Sequence, residues 1–537
     1  MTLNRKRDHI VINQLDISYR AGGGRELHAV KGASLTLARG DTLGIVGESG
    51  SGKSTLARAL LGYMRSGARV AQGRVMVGGT DVFALPPKGL RQFRGKRAAL
   101  VPQNPLSSLT PHMKIGHQLQ ELIRQHTDLR GSEAQARVIW LLKRTGLPDP
   151  DTIIGRYPHE ISGGQRQRVV IAAALTGTPE LIILDEPTTA LDKTVEAEVL
   201  QLVKELQQEI DATLIYVSHD LHVIKAMCAK VAVMRAGRIV EQGRLARVFS
   251  APQEPYTRQL IASIPRISDS GPEVPEAASE QTGLIIRNLS FRYDSEPKLF
   301  ARKRTTAPTL NDISFCVDRG QTLGVVGESG SGKSTLANLI SGAIGGHSGE
   351  ITFDGERLVG KAIMRAPALR RRIQVVFQDP LSSLNPSLPV RDILIRPREL
   401  YFGQTRRSAE QDLRALLSEM DLAPEVLGRF PRQLSGGQQQ RIAICRALAA
   451  EPELLICDEV TSALDVTIQN KVLDMLLRVQ RQRGLTCVFI SHDLSVIGKV
   501  SHKVAVLQRG ELKEFGPRNH VMLAPKHAYT SALLKHV

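Results

Sequence analysis

The chain has 537 residues, 42% hydrophobic and 23% charged, a balance that supplies cores for more than one globular domain. Its longest apolar runs, such as Val169–Leu175, fall far short of the roughly 18 residues that cross a bilayer, and the N-terminal MTLNRKRDHIVINQL has neither the apolar core nor the cleavage site of a signal peptide. A net charge of +18 suits nucleic acid or an anionic membrane surface, and although one Trp and 4% aromatics leave little for base-stacking platforms, charge alone does not decide between them.

In chain order, VINQLDISY alternates as a strand of an antiparallel sheet, and LGIVG (Leu43–Gly47) is a buried strand feeding GESGSGKST (Gly47–Thr55). STLARALLGY reads as a helix, with Leu56 and Leu60 one turn apart. Beyond QNPLSSLTP, which opens at Gln103, HQLQELIRQHT and QARVIWLLKRT carry helical periodicity, so the stretch from Gln103 to Ser162 is expected to form a separate helical subdomain. SGGQ (Ser162–Gln165) starts another helix, while LIIL before Asp185-Glu186 and TLIYVS before His219 are further buried strands. Strands alternating with helices predict an α/β fold with a parallel sheet covered on both faces. The five cysteines (Cys228, Cys316, Cys445, Cys457 and Cys487) contain no CxxC pair and are expected to be buried reduced thiols, not a zinc or iron–sulfur site.

The same parts then return in the same order. GESGSGKST recurs letter for letter at Gly327–Thr335, QDPLSSLNP at Gln378, SGGQ at Ser435–Gln438 and SHDL at Ser491, while LLICDEVTSALD (Leu454–Asp465) answers LIILDEPTTALD (Leu181–Asp192). Two whole domains are therefore predicted, at about 1–265 and 284–537, joined by a Pro-, Ser- and Glu-rich flexible linker over 266–283.

The chemistry starts at GxxxxGK[ST]. Its glycines let successive backbone N–H groups turn toward phosphate oxygens at the positive end of the following helix. Gly47, Glu48, Ser49, Gly50, Ser51, Gly52, Lys53, Ser54 and Thr55 form one predicted nucleotide loop; Gly327, Glu328, Ser329, Gly330, Ser331, Gly332, Lys333, Ser334 and Thr335 form the other. Lys53 and Lys333 would reach the β- and γ-phosphates, and Ser54 and Ser334 would offer hydroxyls to Mg²⁺. Asp185 and Asp458, each ending a buried strand, suit Mg²⁺ coordination, and the adjacent Glu186 and Glu459 can polarise an attacking water. Ser162 and Ser435, each followed by two glycines at a helix start, make a second anion-ready terminus.

Taken together, these elements closely resemble the Walker A, Q-loop, signature, Walker B, D-loop and H-loop of ATP-binding-cassette (ABC) ATPases, over nearly the whole chain. The resemblance implies two tandem cassettes, each a RecA-like parallel sheet core with an antiparallel β subdomain and a helical subdomain. It also implies two composite ATP sites, because in that family each signature closes on ATP held by the other cassette. One site would combine Lys53, Ser54, Gln103, Asp185, Glu186 and His219 with Ser435 and Gly437. The other would combine Lys333, Ser334, Gln378, Asp458, Glu459 and His492 with Ser162 and Gly164. In these sites Gln103 and Gln378 would join the Mg²⁺ ligands, and His219 and His492 would steady the γ-phosphate. Tyr19 and Tyr293 stand where the family places an adenine-stacking aromatic.

QNPLSSLTP, QDPLSSLNPSLPV, YPHEISGGQRQR and FPRQLSGGQQQR are similar to the oligopeptide/dipeptide/nickel branch of bacterial importers. That branch carries an HPYT element in a C-terminal extension, which here reads EPYT (Glu254–Thr257) and HAYT (His527–Thr530). This resemblance implies a peripheral protein on the cytoplasmic face of the inner membrane, partnered by two integral-membrane permeases and an extracytoplasmic solute-binding protein, with no nucleic acid expected. A tandem ABC protein acting on ribosomes would instead be expected to have a long charged helical linker, and one acting on DNA zinc cysteines or coiled coils; neither is present in the sequence. The two loops are identical but their surroundings are not: Ile161 corresponds to Leu434, and Pro187 to Val460. Every group needed for chemistry is kept in both halves, so two competent sites are expected.

Overall fold

Short runs of aliphatic and β-branched residues form the centre of each half. The computed structural model describes residues 8–20, 26–188, 193–263, 271–272, 282–293, 308–462, 464 and 466–535, and the chain divides into two compact units at Ile264/Pro265. In the first unit a six-stranded sheet runs, in spatial order, Arg238–Arg244, Lys230–Arg235, Thr42–Val46, Thr213–Val217, Leu181–Asp185, Ala98–Val101. Its last five strands are parallel and the first is antiparallel to its neighbour. The second unit repeats this order with Glu511–Pro517, Lys503–Gln508, Thr322–Val326, Thr486–Ile490, Leu454–Asp458, Ile373–Val376.

Alternate residues of these strands serve two different cores. In the first unit Leu43, Ile45, Leu181, Ile183, Ile215 and Val217 face one side. There they meet the helix Lys53–Ala59 and a four-stranded antiparallel sheet ordered Glu26–Ala38, Asp8–Arg20, Ala68–Val77, Thr80–Asp81. Val46, Ile182, Leu184, Leu214 and Tyr216 face the other side, toward the helices Ile115–His126, Gly131–Arg144 and Gly163–Ala174. The central strands are thus buried on both faces, which explains their unbroken apolar sequences. In the second unit Leu310–Asp318, Thr282–Phe291, Ser348–Phe353 and Glu356–Arg357 form the antiparallel sheet; Val390–Phe402, Arg406–Glu419 and Gly436–Leu448 are the matching helices. Each unit ends in two short helices, Leu245–Ser250 and Pro255–Ala262, and Arg518–Leu523 and Ala528–Leu534. EPYT and HAYT open the last helix of their units.

Three expectations need correction. The helix after the first loop ends at Ala59, with Leu60 as its C-cap, because the left-handed Gly62 (φ 61°) turns the chain there; Leu60 is nonetheless fully buried. Cys316 is exposed, because it lies on the outward face of the alternating strand Leu310–Asp318, whereas the other four cysteines are buried. The second domain's first strand begins at Thr282, paired with Asp318, inside the segment read as linker. Apart from 271–272 and 282–283, that linker lies outside the described residues, as do 189–192, 463 and 465 of the D-loop segments. Among the described residues no helix is long and apolar enough to cross a membrane.

Candidate nucleotide sites

Strand order decides what meets what. Val46, Val217, Asp185 and Val101 are the last residues of four adjacent parallel strands, so the loops holding Gly47–Gly52, His219, Glu186 and Gln103 emerge on one edge of the sheet. This edge, outside the carboxyl ends of the strands, is where open α/β sheets bind ligands. The second unit brings Gly327–Gly332, His492, Glu459 and Gln378 to the corresponding edge.

Each loop is held tightly against its own unit. A side chain at Gly47 would put its Cβ 2.1 Å from the Met234 carbonyl oxygen, and at Gly327 2.1 Å from that of Leu507, so both positions require glycine. Lys53 is only 6% exposed, and its ammonium donates to the carbonyls of Gly47 (2.7 Å) and Glu48 (2.9 Å). Lys333, equally buried, makes the same bonds to Gly327 (2.7 Å) and Glu328 (2.8 Å). The ammonium therefore lies inside the ring of backbone that would surround a phosphate.

Below the loop, the Ser54 hydroxyl donates to Asp185 Oδ1 at 2.8 Å. Glu186 and Glu459 follow their strands in left-handed backbone (φ 51° and 49°), an unfavourable geometry for a side-chain-bearing residue. That turn aims each carboxylate at two partners. Gln103 Nε2 donates to Glu186 Oε2 at 2.8 Å and His219 Nδ1 lies 3.1 Å from Oε1; Gln378 Nε2 donates to Glu459 Oε2 at 2.8 Å and His492 Nδ1 lies 3.5 Å from Oε1. Burial opposes charge on His219, but the Glu186 carboxylate and then Asp220 outweigh it and raise its pKa. The His492 hydrogen bond holds the Glu459 carboxyl below the usual carboxylate value, so it is ionised at neutral pH and able to accept a proton.

Ser162 and Ser435 are exposed N-caps. Each accepts from the backbone N–H three residues on, and the Gln165 and Gln438 side chains return the bond in capping boxes. The glycines Gly164 and Gly437 lie against Val195 and Ile468, with room for little more than a hydrogen. Of the two adenine candidates, Tyr293 stands beside its phosphate loop: it is 51% exposed, with its hydroxyl 3.4 Å from Thr335 Oγ1 and its ring edge-on to Phe291. Tyr19 packs within the antiparallel sheet against the apolar cluster, paired with Leu27 and Ala68.

Two further groups reach the sites. Arg58 donates to Asp185 Oδ2 at 2.9 Å, so with Ser54 it engages both carboxylate oxygens. The signal was legible, since Ser54 and Arg58 are one helical turn apart and face the same strand end. The same place in the second helix is Asn338, and Asp458 Oδ1 is buried with no hydrogen-bond partner among the described residues. Burial, with Glu459 adding to it, raises the Asp458 carboxyl above its ordinary value against the Ser334 hydroxyl and Lys333. The second group is the tyrosine of EPYT and HAYT. Tyr256 OH accepts the Glu48 backbone N–H at 3.0 Å, and Tyr529 OH accepts that of Glu328 at 3.2 Å. No local sequence pattern reports a contact between residues this far apart.

Two phosphate loops, each with a glutamate, glutamine and histidine at the ends of parallel strands, define a duplicated P-loop ATPase. A family model described as ABC transporter matches residues 30–189 and 310–462, and one described as the oligopeptide/dipeptide transporter C-terminal region matches 240–288. The chain belongs to the ABC transporter family as an ATP-hydrolysing subunit with two cassettes in one polypeptide. The glutathione import ATP-binding protein GsiA of Salmonella paratyphi A is 39% identical, over 98% of this chain and 89% of its own length. Its namesakes in Pectobacterium atrosepticum (38%, covering 96% and 87%) and Escherichia coli O157:H7 (38%, covering 98% and 89%) are similar to the same extent.

Proposed function

We propose that the chain energises a bacterial importer for peptides or related small solutes, acting at the cytoplasmic face of the inner membrane with two permease subunits and an extracytoplasmic solute-binding protein. The observation that carries this reading is the intact glutamate–glutamine–histidine constellation in both halves, combined with an importer-type extension at 240–288. The relatives are named for import of glutathione, a tripeptide, which falls within the proposed solute class.

In this reading each lysine leaves its loop carbonyls to meet the β- and γ-phosphates, and each loop's backbone N–H groups cradle them. Glu186 or Glu459 takes the proton of the attacking water, Gln103 or Gln378 orients it, and His219 or His492 steadies the γ-phosphate. Tyr19 and Tyr293 are the proposed adenine contacts. Each signature terminus, Ser162–Gly164 or Ser435–Gly437, is proposed to complete the site of the other half, which would make ATP the bond between the halves and its hydrolysis their release.

Mg²⁺ suits these residues. The donor set is all oxygen (Ser54, Gln103 and Asp185, or Ser334, Gln378 and Asp458), and among the described residues Asp458 Oδ1 is buried without a hydrogen-bond partner. In this reading the phosphates of the nucleotide would supply the remaining ligands. When bound, Mg²⁺ would neutralise the phosphate charge. The first half has the weaker claim on it, because Arg58 already occupies Asp185. Arg58→Asn is expected to lower the Mg²⁺ concentration that half-saturates metal-dependent nucleotide binding there by about three- to tenfold, in line with a charged hydrogen bond. Mn²⁺ titration followed by electron paramagnetic resonance reads this directly, and an unchanged titration would remove Arg58 from the metal's surroundings.

For the transport reading, purification from detergent-solubilised membranes is expected to retain two permeases, and vesicles of that complex should take up a peptide only with ATP and the binding protein. Recovery of ribosomes in place of permeases would overturn it.

A further inference from the structure

We propose that Tyr256 and Tyr529 are positioning residues for ATP, through which each importer-type extension holds the phosphate loop of its own half. The proposal rests on the nucleotide-site reading above and assigns a task to EPYT and HAYT. The peptide N–H of Glu48 is held by Tyr256, while the carbonyl of the same residue is held by Lys53. Glu328 is held identically by Tyr529 and Lys333. Glu48 and Glu328 thus carry a bond from the extension on one side and from the phosphate-binding lysine on the other. When the lysine turns to a phosphate its bond to that carbonyl is given up, and the tyrosine bond is independent of that movement.

The tyrosine is itself rigidly placed. Tyr256 is only 5% exposed, and the Arg235 guanidinium stacks 4.8 Å from its ring centre. The entry to its helix is pinned by Glu241, whose two carboxylate oxygens accept the Gln253 (2.9 Å) and Glu254 (3.2 Å) N–H groups. Glu514 does the same for Lys526 (2.9 Å) and His527 (3.2 Å) ahead of Tyr529. The last sheet strand, the extension helix and the phosphate loop therefore form one linked path in each half. EPYT and HAYT share only their Tyr-Thr pair, and of these two residues the tyrosine is the one that reaches the phosphate loop, by the same bond in both halves.

Tyr256→Phe, Tyr529→Phe and the double variant remove only hydroxyls from the full chain. Equilibrium binding of trinitrophenyl-ATP to the double variant is expected to weaken by about three- to tenfold, the effect of one neutral hydrogen bond per site, with KM raised and kcat at saturating ATP nearly unchanged. Hydrogen exchange should quicken in peptides covering 47–51 and 327–331 while the helices Pro255–Ala262 and Ala528–Leu534 stay protected. Unchanged ATP affinity would overturn the proposal, as would loss of helix protection together with a lowered melting temperature, which marks a packing role alone. Failure of the unaltered chain to bind the analogue would instead defeat the nucleotide-site reading.

Discussion

With Glu186 and Glu459 both replaced by glutamine, the chain is expected to keep ATP at both sites and turn over neither, with kcat lowered by about 10²- to 10⁴-fold. Glutamine has nearly the shape of glutamate and retains one oxygen to accept from Gln103 or His219, which now donate to the two oxygens of Glu186. What it loses is the ability to take a proton from water. Of the groups that would bind phosphate, His219 and His492 face the glutamates and keep an acceptor in glutamine, while Lys53 and Lys333 bond to their own loop carbonyls, so affinity should be preserved. The left-handed backbone at both positions is no harder for glutamine than for glutamate, and folding should be unaffected. A phosphate-release assay beside equilibrium ATP binding reads both halves of the prediction. Ordinary turnover in the double variant would take these carboxylates out of the mechanism. The single variants then divide the remaining rate between a half whose Walker B aspartate is paired with arginine and one whose aspartate is not.

How much of this was legible in sequence depends on how local the physics is. GESGSGKST and the acid pairs could be read directly, because cradling a phosphate and holding a metal demand particular residue types at fixed spacing. The central strands could be read because burial on both faces leaves only apolar residues. Gln103 and His219 were assigned by resemblance, since only strand order brings them to Glu186 across 83 and 33 positions of chain. The tyrosine of EPYT was noticed as a motif, but its partner lies 208 residues away and nothing near either residue announces the bond. Cys316 was misjudged because burial was inferred from residue type, whereas strand alternation decides it. The second domain's first strand starts two residues inside the segment read as linker, because that reading rested on Pro, Ser and Glu content, which does not report the pairing of Thr282 with Asp318.

Replacing Lys53 or Lys333 by alanine is expected to empty its own site and leave the other filled, so that nucleotide stoichiometry falls by half in each single variant and to nothing in the double. Each ammonium is almost wholly buried within its loop, where it satisfies two carbonyls before any phosphate arrives. Its removal leaves those carbonyls without that donor and deprives the triphosphate of a nearby positive charge. Charged hydrogen bonds lost at such a site correspond to roughly 10- to 100-fold in affinity apiece. Arginine is not expected to rescue the loss, because its planar fork is larger than the ammonium and cannot point its donors into so small a ring of backbone. Isothermal titration with ATP measures stoichiometry and affinity together. Two full sites in Lys53→Ala would show that the loop amides alone hold the phosphates and that the buried lysine braces only the empty loop. Loss of both sites in a single variant would show that neither cassette binds ATP stably unless the other is also loaded, and would overturn the expectation that the two loops fill independently.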